Sequence, residues 1–360
     1  MSNYYYVILA FVVSLGFTLL TMPLLLKICY KKRLYDIPNE RKVHNILVPR
    51  LGGILFLPAM LVSMSAVLMF KIYTEGVMEL SSWTFIFISG IFIIYIVGVF
   101  DDLLGLGANA KFIVQVVTAL AFPLSNVYVN NLYGLFGVYE IPFYVGYIVT
   151  VFCTLFIINA MNLIDGIDGL SSGLSVMAML GFAFLFYINH IYIYTVFALA
   201  AVASVVVFMY FNIYGSAEKQ TKTFMGDTGS LTLGYLLSFM AVKYSMNNEG
   251  IMPYRSDALL ISYSLLMIPV FDVVRVILYR MRKHKPLFGA DKSHIHHKLL
   301  RVGYSQHKTL LTIIGLMVFF ILLNISLRNI LNFTLIVVID IILWTIFNLW
   351  LDKKWKAVNR

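Results

Sequence analysis

The feature that most constrains this chain is a succession of long apolar runs, near residues 4–26, 48–70, 83–100, 110–127, 143–161, 169–188, 191–211, 228–245, 257–279, 309–327 and 331–351. A membrane span needs ~20 mostly apolar residues, and most of these runs approach that length. A backbone surrounded by lipid must satisfy its own hydrogen bonds, so such runs fold as helices. Only 12% of the residues are charged, against a share near ~25% in soluble domains, and nothing is left over for a separate soluble domain. The expected fold is an all-α integral membrane protein with about eleven transmembrane helices, a single multi-spanning domain over residues 1–360. Ser2–Tyr6 has no cationic segment and no small-residue cleavage site follows, so no signal peptide is expected.

Charge sets the expected orientation. Lys27, Lys31, Lys32 and Arg33 follow the first run directly, which puts the N-terminus outside and that loop in the cytoplasm. Carried through eleven spans, this assigns 23 of the 27 Lys and Arg to the inner side and leaves Lys71, Lys243, Arg255 and Arg328 outside. The C-terminal Asp352–Lys356 then ends in the cytoplasm. Such one-sided charge answers to topology and to anionic lipid, so membrane lipid is an expected partner and nucleic acid is not. Cys29 and Cys153 lie at a helix end and within a span, which does not suit a disulfide framework. The stretch 126–142 alternates weakly around Asn130-Asn131 and is expected to form a small extracytoplasmic hairpin.

Asp101, Asp102, Asp165, Asp168 and Asp227 all fall at predicted cytoplasmic helix ends, although the chain has only 17 acidic residues. The most polar stretch is Asn159-Ala-Met-Asn162-Leu-Ile-Asp165-Gly-Ile-Asp168-Gly-Leu. Spacing of three keeps its amides and carboxylates on one helical face, with Gly166 and Gly169 letting the chain turn. Massed polar groups at a membrane helix end are costly unless they bind something. The runs that follow Asp102, Asp168 and Asp227 all point their N-termini inward, where free N–H groups suit phosphate oxygens. Carboxylates beside such an anion site call for a bridging cation, and Mg2+ commonly takes one or two of them together with substrate phosphates.

Each motif also has a plainer reading. Asp101-Asp102 could simply be solvated, Lys111 could be a topogenic lysine, and Asp227 in Gly226-Asp-Thr-Gly-Ser230 could be an ordinary N-cap. The basic stretch His294-Ile-His296-His297-Lys298-Leu-Leu-Arg301 reads as a short helix capped by Ser293. His294, His297, Lys298 and Arg301 would share one face, with Ile295, Leu299 and Val302 packing on another. It is open to three readings: an anion-binding lid, a surface helix, or a zinc site using the histidines and Asp291.

In order, these motifs resemble the polyprenyl-phosphate N-acetylhexosamine-1-phosphate transferase superfamily (glycosyltransferase family 4) over essentially the whole chain. The His loop and Arg41-Lys42-Val-His44…Pro49-Arg50-Leu-Gly-Gly53 are similar to the WecA/TagO-like branch, related to MraY. The resemblance implies transfer of N-acetylhexosamine 1-phosphate from a UDP-sugar, best guess UDP-GlcNAc, to undecaprenyl phosphate, with release of UMP. It implies Mg2+, or Mn2+ in its place, held by Asp227 and Asn162. Asp101, Asp102 and Lys111 would stand at the acceptor phosphate, with direct attack expected, Asp101 as the base and Asp102 supporting the metal and lysine, and Asp168 would lie near the uridine. Further substrate-binding candidates are Asn159, Asp165, Asn212, Lys42, His44, Arg50, His294, His296, His297 and Arg301. The site would be built from loops near 31–53, 101–111, 159–173, 212–230 and 280–308, facing the cytoplasm at a bacterial inner membrane. Lys292 departs from the expected arginine and loses its bidentate fork. The alternatives are an MraY-like enzyme taking a peptidyl donor, an ion-coupled transporter, and a non-catalytic scaffold; a homodimer is left open. Transporter acids sit nearer the bilayer midplane, often in repeated halves, and no repeat is visible here.

Overall fold

The structure, a computed structural model, describes residues 4–36, 47–76, 82–250, 252–284 and 293–358. Twelve helices account for most of them: α1 (Tyr4–Lys32), α2 (Phe56–Glu75), α3 (Ser82–Leu104), α4 (Ala108–Leu124), α5 (Phe143–Ile164), α6 (Leu170–Ile188), α7 (Tyr192–Tyr214), α8 (Gly226–Ser245), α9 (Ala258–Arg282), α10 (Ile295–Arg301), α11 (Gln306–Leu327) and α12 (Phe333–Val358). Each of the eleven apolar runs coincides with one of these helices, and the twelfth is the short α10. Among the described residues, nine helices are long and apolar enough to cross a membrane. The protein is an all-α integral membrane protein.

The two apolar runs outside those nine are informative. One is α4, only 17 residues long. The other is α8, whose residues from Thr228 to Ser245 are all buried and which packs against α3, α5, α6 and α9. A helix screened from lipid by its neighbours can carry hydroxyls, provided they are bonded. Thr232 and Ser238 donate back to the Thr228 and Gly234 carbonyls at 2.6 Å each. The second run also starts later than 48: Val48–Pro49 forms a two-residue strand, β2, paired antiparallel with β1 (Tyr35–Asp36).

Close approach fixes α3 on α8. Gly98 lies so near that a Cβ there would stand 2.5 Å from the Thr228 Cα. Small residues permit this contact between membrane helices. One turn further on, α3 delivers Asp101 and Asp102 to the start of α8. The hairpin expected in 126–142 is present as β3 (Asn131–Leu135) and β4 (Val138–Glu140). Its turn is not at Asn130-Asn131, however. It falls at Phe136 and Gly137, both with positive φ (53° and 77°), as a tight two-residue hairpin turn requires.

Candidate active site

The five acids do not all stand alike. Lys111 of α4 reaches across to two of them, donating to Asp227 Oδ2 at 2.7 Å and to Asp101 Oδ2 at 3.0 Å. The other Asp101 oxygen accepts from the Leu106 N–H at 2.8 Å, closing the loop after α3. Asn162 Nδ2 lies 3.2 Å from Asp227 Oδ1 and 2.9 Å from Ser230 Oγ. Four helices, α3, α4, α5 and α8, therefore meet in one chain of contacts: Asp101, Lys111, Asp227, Asn162.

Asp102 does something different. Its fully buried carboxylate accepts from the N–H groups of Asp227 and Thr228 at 2.8 and 2.9 Å and from Thr228 Oγ1 at 2.6 Å. Arg50 Nε lies 3.3 Å from it. Asp102 is thus the N-cap of α8, supplied by another helix, with a negative charge on the positive end of the dipole. This corrects the expectation that the first N–H groups of α8 are free for phosphate. Arg50 is held in place because Pro49, Gly52 and Gly53 bond to the backbone of Phe224 and Met225, and the Pro49 carbonyl also accepts from the Thr223 hydroxyl. Lys42 and His44, expected to contribute from the same loop, lie outside the described residues.

In the asparagine–aspartate motif the helix stops at Ile164, so the four polar residues do not share one helical face. Asn159 is turned toward α4 and donates to Gln115 Oε1 at 2.7 Å. Asp168 sits in the turn before α6 and pairs with Lys222 at 2.7 Å. Asn212 is buried and supports that turn, accepting from Gly169 N at 2.7 Å and donating to the Thr223 carbonyl at 2.8 Å. Lys222, which sequence reasoning passed over, also donates to the Asn212 carbonyl at 3.0 Å.

Asp165 is the one acid of the five with no hydrogen-bond partner among the described residues, and it is exposed. Protein crowds it nonetheless, and its carboxyl is pushed up to about 7 by desolvation and then by the carboxylates of Asp227, Asp168 and Asp102. The direction follows from the neighbours as well, because three nearby negative charges disfavour a fourth.

The histidine segment lies directly over this motif. Gly166 leaves space for His296: a Cβ at Gly166 would stand 2.1 Å from His296 Nε2. His296 is buried, with no partner for either ring nitrogen among the described residues. It lies parallel to the His294 ring at 5.9 Å and 4.2 Å from that of His297. Burial, then the His297 charge, hold its pKa down at about 3, so the ring is neutral. The anchor for the segment is Asp272, a fully buried acid of α9 that sequence reasoning missed. It accepts from the Ile295 N–H at 2.9 Å, pairs with His294 Nδ1 at 2.8 Å and binds Arg275 at 2.9 Å. Asp272, and not Ser293, therefore caps α10. Ile295, Leu299 and Val302 are buried as expected. Lys298 pairs with Asp352 of α12 at 2.9 Å, and Arg301 lines a cavity with Lys298, Trp355 and Lys356.

Among the described residues, no group of three or more His, Cys, Asp or Glu is arranged to hold a metal ion. This speaks against zinc held by the described histidines. Asp227 and Asn162, 3.2 Å apart, carry oxygen donors of the kind Mg2+ takes, an ion that keeps much of its shell for water and substrate phosphates.

Known proteins are similar to this chain over most of its length. Residues 84–245 match the model of glycosyl transferase family 4, a stretch running from α3 through α8. A probable undecaprenyl-phosphate N-acetylglucosaminyl 1-phosphate transferase of Bacillus subtilis (strain 168) is 30% identical over 315 residues, covering 85% of this chain and 81% of the relative. An undecaprenyl-phosphate alpha-N-acetylglucosaminyl 1-phosphate transferase of Yersinia pestis is 25% identical over 295 residues, 80% and 75% of the two chains. A decaprenyl-phosphate N-acetylglucosaminephosphotransferase of Mycobacterium leprae (strain TN) is 28% identical over 289 residues, 77% and 72%.

Proposed function

Because the chain belongs to glycosyl transferase family 4, we propose that it transfers N-acetylglucosamine 1-phosphate from UDP-N-acetylglucosamine to undecaprenyl phosphate, releasing UMP, at the cytoplasmic face of a bacterial inner membrane. The observation that carries this reading is Lys111, held between the carboxylates of Asp101 and Asp227 from different helices. A cation so placed can serve both anionic substrates, which would otherwise repel each other.

In the reaction, an oxygen of the acceptor phosphate forms a bond to the sugar-bearing phosphorus of the donor. The diphosphate P–O bond breaks and UMP leaves with its electron pair. There is little covalent work for the protein, so its contribution is positioning and charge neutralisation. Asp227 and Asn162 would hold Mg2+, with Mn2+ able to replace it, and the bound ion would screen phosphate charge. A phosphate monoester has a second pKa of ~6 and is mostly dianionic at neutral pH, so the acceptor is already a nucleophile. Asp101, with both oxygens engaged, is a positioning group for Lys111. The acceptor's residual proton falls to Asp165, the carboxylate without a partner. Asp168 and Lys222 would meet the nucleotide, and the neutral His296 beside Gly166 would border the donor.

The test is turnover by the purified protein with undecaprenyl phosphate and a panel of UDP-sugars. UMP release with UDP-N-acetylglucosamine supports the reading. Release only with a peptidyl muramic acid donor, or with none of the panel, would overturn it.

A further inference from the structure

We propose that the groove between α9, α10 and α12 is a binding site for an anionic phospholipid, distinct from the site of the acceptor. The groove has an apolar part of about 410 Å3, walled by Phe271, Val274, Leu278, Ile341 and Trp344. It continues into a second cavity of about 290 Å3 bordered by Lys298, Arg301, Trp355 and Lys356. Arg275, Tyr279, Lys298 and Asp352 border both parts, so the two form one path. Among the described residues, five cations stand along it, with Arg282 the fifth, against one carboxylate, that of Asp352. Arg275 is held by Asp272, and Lys298 pairs with Asp352. Arg282, Arg301 and Lys356 make no ion pair with any described residue. Such an arrangement suits an amphiphile with hydrocarbon at one end and phosphate at the other. Basic pockets between membrane helices on the cytoplasmic side take anionic headgroups on this principle.

Two observations separate this groove from the acceptor's place. None of Asp101, Lys111, Asp165 or Asp227 lines it. Among the described residues, α12 packs mainly on α10, α11 and β3 rather than on α3, α4 or α8. His294, His296 and His297 do not line it either.

The experiment is native mass spectrometry of the full chain in detergent, titrated with phosphatidylglycerol or phosphatidylethanolamine. Wild type is expected to retain one phosphatidylglycerol in preference to phosphatidylethanolamine. Arg282→Gln with Lys356→Gln, both at exposed positions, should weaken that retention roughly thirty-fold, since each basic residue near the surface adds about a factor of five. Val274→Trp, which fills the apolar part and touches no cation, should lower it as well. Equal retention of the two lipids, or undiminished phosphatidylglycerol in both variants, would reduce the groove to ordinary lipid contact and overturn the proposal. Displacement of phosphatidylglycerol by undecaprenyl phosphate, with the same sensitivity to the double variant, would make it the acceptor's path and also overturn it. The readout is independent of turnover, so its failure leaves the proposed reaction untouched.

Discussion

Asp102→Asn separates a capping role from a chemical one. The wild-type carboxylate is fully buried and gathers two backbone N–H groups, one hydroxyl and the Arg50 guanidinium. Asparagine keeps the shape, but it loses the charge and turns one acceptor into an NH2 group that faces other donors. Hydrogen bonds to a charged group contribute about 1.5–3 kcal/mol each, and a donor left unsatisfied costs about 1–3 kcal/mol. Losing one good acceptor and the charge together should therefore cost about 3 kcal/mol. For a protein of this size that is a fall of order 5 °C in the thermal midpoint. Activity should fall as well, because Asp227 is the residue whose N–H the cap holds. The assay pairs thermal unfolding of the detergent-solubilised protein with UMP release, using Asp101→Asn as comparison. The Asp101 side chain accepts from Leu106 N and Lys111 and does not cap α8, so its variant should unfold nearer the wild-type temperature while still losing turnover. An Asp102→Asn protein as stable as wild type yet inactive would refute the capping argument and return Asp102 to the chemistry.

Three further outcomes follow from the geometry. Gly166→Ala should put a methyl into the space of His296, which must then shift. Overpacking of this kind costs about 1–3 kcal/mol, and misplacement near 1 Å costs roughly 100-fold in rate, so both thermal midpoint and kcat/KM should drop. For Asp165, the folded pKa of about 7 lies above the ordinary 3.8, so its contribution to stability is full below about 3.8 and is lost as pH rises to about 7. Asp165→Asn should accordingly flatten the fall in stability over that interval, and it should remove an ionisation near 7 from the pH profile of kcat/KM; an unchanged profile would exclude Asp165 as proton acceptor. Finally, single cysteines at Gln220 and Glu249, in a background lacking Cys29 and Cys153, should be labelled by an impermeant reagent from opposite sides of the membrane, Glu249 from outside.

Much of this was legible in the sequence because it depends on local pattern. Long uncharged runs must become helices in lipid, and each of them did. Acids placed at alternate run ends must gather on one side if the chain crosses regularly, and Asp101 and Asp227 do meet at Lys111, with Asp168 at Lys222. What stayed hidden depends on which distant partner a side chain meets. Asp102 reads like Asp101 until Gly98 is seen against Thr228, which aims one acid at the α8 backbone and the other at Lys111. Asp272 gave a signal that could have been used, since a lone acid inside the 257–279 run is costly without a partner and so marks one. Its partner, His294, lies 22 residues away, beyond any periodicity argument.

The central claim is that a phosphate oxygen of the acceptor attacks the sugar-bearing phosphorus. Supplying UDP-N-acetylglucosamine labelled only at that phosphorus, with undecaprenyl phosphate and the purified protein, tests it directly. The label should pass entirely into the lipid fraction, in equal amount with unlabelled UMP. Label left in soluble UDP, with an unlabelled sugar on the lipid, would mean that the sugar alone is transferred and would contradict the account.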